Sequence, residues 1–379
     1  MTLSRRKTLA LIGGGVIVAA TGALAYDLTR MPRTAAAPWA AAGQYPDPRM
    51  RALSWAILAP NPHNRQPWLV DLSQPDTVVL FADPGRLLPH TDPFSRQITI
   101  GLGCFLEVLR MAALEEGLGV SFELFPEGES AEGLDARPVA ICRFAPTDAA
   151  PDPLFAQVPH RRSNKEPYDT TRAVPTDALA QIAAAATQFG MGFTNDPTEV
   201  AELRDLSLQA MRIEFATERT LRESVDLFRI GRREVDANPD GLDFTGPMFE
   251  TLRRAGLFTR EASMNLDGIV AQSADAAFAA NFQSAMAHLW QVTPGNSRTD
   301  QIRAGQDWVR INLAATALGL GLQPLSQALQ EFREMAPLYA QIHDRLAPDG
   351  GTVQMWARVG YGPTVPPSPR WPLEDKIVG

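Results

Sequence analysis

Met50, Leu53 and Ile57 recur at helical spacing, and Pro60 ends the helix they predict. Two short strands follow at 68–72 and 77–81, around a Gln74-Pro75-Asp76 turn. A long apolar stripe predicts a helix over 95–116, then strands at 119–124 and 139–144 with an acidic, glycine-containing loop at 127–136. Further on, helical patterns occupy 176–189 and 197–218, followed by a Gly/Pro-punctuated stretch at 231–247. Short helices are expected over 248–292, with exposed-looking Phe249, Phe258 and Phe278. A second long amphipathic helix then ends in a glycine turn, and a strand lies at 352–359.

The two long helices resemble each other. A displacement of 204 residues carries Gln97-Ile98 onto Gln301-Ile302, Gly101 onto Gly305, Ala113-Leu114 onto Ala317-Leu318, and Gly117 onto Gly321. The shared register, glycines included, predicts an internal duplication. The segment between the copies has no counterpart in the first half and is expected to be a lid or a packing extension.

The N-terminus changes the picture of where the chain resides. Ser4-Arg5-Arg6-Lys7-Thr8-Leu9 is a twin-arginine signature, and the run 9–25 after it is apolar and uncharged. Its length, about 17 residues, is near the short limit for a membrane span. The Gly13-Gly14-Gly15 triplet lowers helix propensity, as in the apolar core of a signal peptide. The expectation is a signal peptide over 1–30, export through the twin-arginine translocase and a periplasmic location; an uncleaved membrane anchor is the alternative. Residues 31–47, rich in Ala and Pro, read as a linker.

Of 379 residues, 45% are hydrophobic and 21% charged, which supports a buried core and excludes global disorder. Two cysteines cannot staple a disulfide scaffold, and Cys104 and Cys142 are expected as buried thiols. A net charge of -8 gives no reason to expect a nucleic-acid partner. With 5 His and neither H-x-x-x-H nor C-x-x-C spacing, no metal site is expected.

Two polar clusters carry candidate chemistry. His63-Asn64-Arg65-Gln66 sits among Pro60, Pro62 and Pro67, which limit the backbone; such a loop suits a heteroaromatic ligand or a solvated turn. His160-Arg161-Arg162-Ser163-Asn164-Lys165 concentrates three fixed positive charges and a hydroxyl, suited to a phosphate or to solvent. No G-x-S-x-G elbow and no strand-borne G-x-G-x-x-G occurs, which points towards cofactor chemistry.

Ala59-Pro60-Asn61-Pro62-His63-Asn64-Arg65-Gln66-Pro67-Trp68 resembles the A-P-S-x-x-N-x-Q-P-W segment of the nitroreductase family of FMN enzymes, and Arg161-Arg162-Ser163-Asn164-Lys165 resembles its R-R-S-x-R opening. Residues 101–119 and 305–321 are similar to its central helix, and Arg358-Val359-Gly360-Tyr361-Gly362 to its last core strand. The resemblance spans roughly 48–362 and is closest to the divergent Acg-like branch. It implies an α+β nitroreductase-like fold, an antiparallel-rich sheet flanked by helices, duplicated as a pseudo-dimer. One half would cover 48–150 and the other 158–362, with the lid-like insertion at about 231–290 and a tail at 363–379. It implies one FMN site, with Arg161, Arg162, Ser163, Lys165 and Arg358 around the phosphate and His63, Asn64, Arg65, Gln66 and Gly360 towards the ribityl chain and ring. Arg65 is the candidate to polarise the flavin, or else pairs with the phosphate. The implied activity moves reducing equivalents from a small-molecule donor through flavin N5 to a nitroaromatic or quinone. Storage or sequestration of FMN without turnover is the alternative. The chain would be a monomeric pseudo-dimer or a homo-oligomer.

Overall fold

Asp47, Asp196 and Ser297 each turn a side-chain oxygen onto a backbone N–H of the helix that follows, with Pro48 and Pro197 at the first helical position of theirs. The computed structural model describes residues 32–130 and 132–379, so the twin-arginine signature and the apolar run after it lie outside the described residues. In chain order it contains α1 (Ala37–Ala41), α2 (Pro48–Ala56), β1 (Trp68–Asp71), β2 (Thr77–Ala82), α3 (Arg96–Leu114), β3 (Leu118–Leu124) and β4 (Pro138–Pro146). There follow α4 (Thr176–Ala183), β5 (Met191–Thr194), α5 (Pro197–Ala216), α6 (Glu218–Asp226), β6 (Phe228–Ile230), α7 (Arg232–Ala237) and β7 (Leu242–Phe244). The chain continues through α8 (Pro247–Arg254), α9 (Arg260–Met264), α10 (Ile269–Gln283), β8 (Ala287–Thr293), α11 (Arg298–Ala317), β9 (Gly321–Pro324), α12 (Ala336–Leu346) and β10 (Thr352–Gly360).

The fold is α+β. Two four-stranded antiparallel sheets have the orders β1-β2-β4-β3 and β5-β8-β10-β9. Counted within each half, both read first, second, fourth, third, and each long helix joins the second strand to the third. Identical strand order around an equivalent helix makes these two copies of one unit.

The register of the duplication is 202 residues, not 204. Gly117 and Gly319 take the same left-handed conformation, φ 70° and 68°, at the ends of α3 and α11. Arg96 and Arg298 both open their helices. At the crossing, a Cβ on Gly103 would strike the carbonyl oxygen of Ile302, and one on Gly305 would strike that of Ile100. That reciprocity is what a pseudo-twofold between the helices produces. Gly101, which the 204 displacement paired with Gly305, instead lets Asn61 and Pro62 rest on α3, 3.2 Å from where its Cβ would stand.

The halves differ in cover. β3 and the end of β4 keep exposed positions, so the outer face of the first sheet meets solvent. The second sheet is buried on both faces: Leu203 and Leu206 of α5, Phe282 of α10, and Leu338 and Ile342 of α12 form a second core with Val353 and Trp356. α3 reaches the length and hydropathy of a membrane span, but 89% of that window is buried within the protein.

Sequence patterning misplaced some elements. Residues 287–293, expected within short helices, form β8, the strand between β5 and β10. The helix expected over 176–189 stops at Ala183, and the Asp307 carboxylate accepts the backbone N–H groups of Thr187, Gln188 and Phe189. The helix expected over 197–218 breaks at Thr217 into α5 and α6. Cys104 and Cys142 are buried free thiols. The C-terminal residues return to the first half: Val378 N donates to Val70 O (2.9 Å), and Leu72 N to Gly379 O (3.2 Å).

Candidate functional site

The loop between α2 and β1 is folded against backbone preference. His63, Asn64 and Gln66 have φ of 47°, 49° and 50°, a region that non-glycine residues rarely enter. Asn61 holds the loop closed, its Oδ1 accepting Gln66 N at 2.7 Å. The Gln66 side chain is fully buried; Nε2 donates to Pro239 O (2.7 Å) and Oε1 accepts Trp371 N (2.9 Å). Asn64 Nδ2 donates to Pro369 O (3.0 Å), while its Oδ1 accepts Arg370 Nη1 (2.7 Å). Arg65 donates to Gly85 O (2.8 Å) and Arg86 O (3.2 Å), and its Nη1 lies 3.8 Å from Asp240 Oδ2. Beyond the loop itself, the Asn64 and Gln66 amides thus meet the insertion and the C-terminal tail.

Asp240 latches the insertion to the loop. Its carboxylate accepts Arg86 Nη1 (2.5 Å) and Arg229 Nη2 (2.6 Å), with Trp371 Nε1 at 3.3 Å, and Gly241 N donates to Asn64 O (3.3 Å). The surrounding guanidiniums hold the Asp240 carboxyl below the usual carboxylate range, against the opposing effect of its burial.

The basic cluster lies alongside. Arg161 is buried; its Nη2 donates weakly to Leu58 O (3.4 Å), and its Nη1 is buried without a partner. Arg162 donates to Pro159 O and Arg161 O, packs its guanidinium 4.7 Å over Trp39 of α1, and leaves Nε buried without a partner. Ser163 is half-buried beside them, and Lys165 is exposed.

A third guanidinium, which sequence reasoning missed, completes the group. Arg370, from the tail, donates to Ile57 O (2.8 Å), Leu58 O (3.1 Å) and Ala59 O (3.1 Å), as well as to Asn64. It shares Leu58 O with Arg161 and the Trp39 ring with Arg162, from a distance of 5.6 Å. Arg370 thus joins Asn64 to Arg161, so the loop of one half and the basic cluster of the other form one site. Burial, then the neighbouring Arg161 and Arg162, push the Arg370 pKa down to about 9; burial is the main cause for Arg161, at about 10. These arginines stay charged, and the shifts report chiefly the burial of their guanidiniums, with neighbouring positive charge adding to it.

His63 stands at the edge of this field. Burial, Lys165 and Arg65 push its pKa down to about 4, so the ring is neutral at pH 7, and its Nδ1 is buried with no partner. Arg161 Nη1, Arg162 Nε and His63 Nδ1 are three buried polar atoms without a hydrogen-bond partner among the described residues.

Arg358 is elsewhere. It spends its donors on Gln323 Oε1 (2.6 Å), Ser284 Oγ (3.1 Å) and Glu166 O (2.8 Å), and stacks 3.9 Å over Tyr168. It supports the basic loop from behind. Gly360 lies under Tyr168, where a Cβ would come within 2.9 Å of the Tyr168 Cβ. A cavity of about 600 Å3, lined by residues including Leu87, His90, Arg219 and Glu223, contains none of these groups. Among the described residues no cluster of His, Cys, Asp and Glu could hold a metal.

No family model matches the chain. It is similar to a Mycobacterium tuberculosis protein provisionally named an NAD(P)H nitroreductase, with 26% identity over 341 residues, covering 86% of this chain and 89% of that protein. A second M. tuberculosis protein so named, acg, is 29% identical over 178 residues, 47% of this chain and 49% of its own length. Among solved structures, a protein described as a nitroreductase from Anabaena variabilis aligns over 90% of this chain and 91% of its own, at 12% identity and a TM-score of 0.43.

Proposed function

We propose that this chain, a member of the nitroreductase-like superfamily by its similarity to those relatives, is an FMN-dependent oxidoreductase with one composite site. The observation that carries the reading is the pair Arg161 and Arg162, each with a buried donor left over, held beside the loop by Arg370, whose own donors are all spent on the protein. These residues fit a phosphate: guanidiniums present planar forks to its oxygens, and the half-buried Ser163 adds a hydroxyl. When bound, FMN supplies hydride and electron transfer at its ring N5.

The chain's own residues then bind and orient. Arg161 and Arg162 would hold the phosphate, Arg370 ties them to the loop and adds charge, and Lys165 adds positive charge at the exposed rim. Neutral His63 offers Nδ1 to the ribityl chain or ring edge. Asn64 and Gln66, locked to the tail and the insertion, fix the loop that carries His63. In this reading Arg65 latches the loop to Asp240 rather than polarising the ring, and Arg358 and Gly360 brace the basic segment. The donor is a small reductant such as NAD(P)H, and the acceptor a nitroaromatic or quinone.

The full chain, expressed in the cytoplasm and purified, is expected to be yellow, with a released chromophore identical in mass to FMN. Arg161→Ala should lose most of it, because a charge-assisted hydrogen bond contributes about 1.5–3 kcal/mol, or roughly tenfold to a hundredfold in affinity. A colourless protein, or equal occupancy in the variant, contradicts the reading. Storage of FMN is the second reading, favoured by the closure of residues 239–241 on the loop. Anaerobic reduction by NAD(P)H followed by reoxidation with a nitroaromatic or quinone supports the enzyme; bleaching without reoxidation supports storage.

A further inference from the structure

Large apolar side chains exposed to solvent are unevenly distributed. Met248, Leu257, Leu266 and Ile269 fall within 22 residues of the insertion, and Ile269 is 78% exposed. Their backbone is firmly held. Phe228, Phe244, Phe249 and Phe258 form an aromatic cluster with ring centroids 4.6 to 6.1 Å apart. Met248 and Leu257 directly precede Phe249 and Phe258, whose rings are 5.5 Å apart, so the two exposed side chains flank one support. Leu266 lies within, and Ile269 directly after, the turn closed by Gly268 N donating to Asn265 O (2.9 Å), which joins α9 to α10. All four sit at helix ends or turns, Met248 and Leu257 beside the aromatic cluster and Leu266 and Ile269 at the junction of α9 and α10.

The chain's entry into the fold lies on the same insertion. Thr34 N and Ala35 N both donate to Asp236 Oδ1 of α7, at 3.0 and 3.2 Å. The uncharged apolar run 9–25 ends nine positions before Thr34. Even fully extended, that tether reaches only about 30 Å. Whatever surface takes up the run therefore lies within that reach of α7, which belongs to the same insertion.

We propose that the insertion rests on a lipid bilayer, with Met248, Leu257, Leu266 and Ile269 entering the interface. Separate exposed apolar side chains suit a fluid apolar phase, which fills the space between them. A second protein copy would need a complementary relief. The inference does not depend on the flavin reading, and its test requires no flavin.

The test uses the full chain reconstituted with vesicles of phosphatidylcholine and phosphatidylglycerol. Leu257→Cys, and Leu318→Cys at the end of α11 outside the insertion, are each labelled with an NBD fluorophore. Cys104 and Cys142 are buried and leave the introduced thiol as the reactive one. On vesicles, the label at 257 should shift to the blue and be quenched severalfold by nitroxide-bearing lipids, while the label at 318 keeps its emission. Unchanged emission at 257 in protein that floats with the vesicles overturns the proposal, and so does failure to float. A blue shift at 257 that grows with protein concentration in the absence of lipid also overturns it, assigning the face to a second copy.

Discussion

At the scale of single residues, charge and backbone strain mark the site. His63 combines a left-handed backbone with a ring kept neutral by burial and by Lys165 and Arg65. Its folded pKa of about 4 lies below the ordinary 6.5, so both states are neutral above that value. As the pH falls from 6.5 towards 4, the unfolded chain takes up a proton that the folded chain refuses, and stability is lost over that window. His63→Asn, which tolerates the left-handed conformation, removes the effect. The variant should gain about 2 kcal/mol relative to the parent between pH 7 and pH 5 in urea denaturation. A pH-independent difference would show that the ring is not so shielded. The sequence makes this loop legible because prolines and polar residues crowd into few positions. Arg370 was not legible: a lone arginine in a proline-rich tail carries no local signal, and only the return of the tail to the first half delivers it to Asn64 and the Ile57–Ala59 carbonyls.

At the scale of elements, the crossing of α3 and α11 organises the molecule. Gly103 and Gly305 are required because each backbone lies where the other's Cβ would be. Neither neighbour is a flexible side-chain tip, so the helices must separate to accept a larger residue. Gly305→Val should cost at least about 3 kcal/mol, beyond the usual range for overpacking, and lower the yield of folded protein. A thermal midpoint like the parent's would mean that the helices do not pack this closely. The duplication was legible but its register was not. Amphipathic helices match at several displacements because apolar positions recur every three or four residues. Only backbone features break the tie, and Gly117-Leu118-Gly119 against Gly319-Leu320-Gly321 does so at 202. β8 escaped detection for a related reason: its buried polar residues His288, Gln291 and Thr293 blur the alternation that marks a strand.

At the scale of the whole molecule, duplication places a loop from one half against a basic cluster from the other, and the tail ties the two together. Asp240 and Gly241 bring the insertion onto the same loop, so four distant stretches of chain meet at one site. The central claim is that Arg161 and Arg162, set beside the loop by Arg370, hold a phosphate. The most direct measurement is the affinity of apoprotein for FMN and for riboflavin, which share the ring and ribityl chain and differ in the phosphate. FMN should bind at least about a hundredfold more tightly to the parent, from two or more charge-assisted contacts. In Arg161→Ala that preference should shrink to within about tenfold. Equal affinities for the two ligands in the parent would contradict the account.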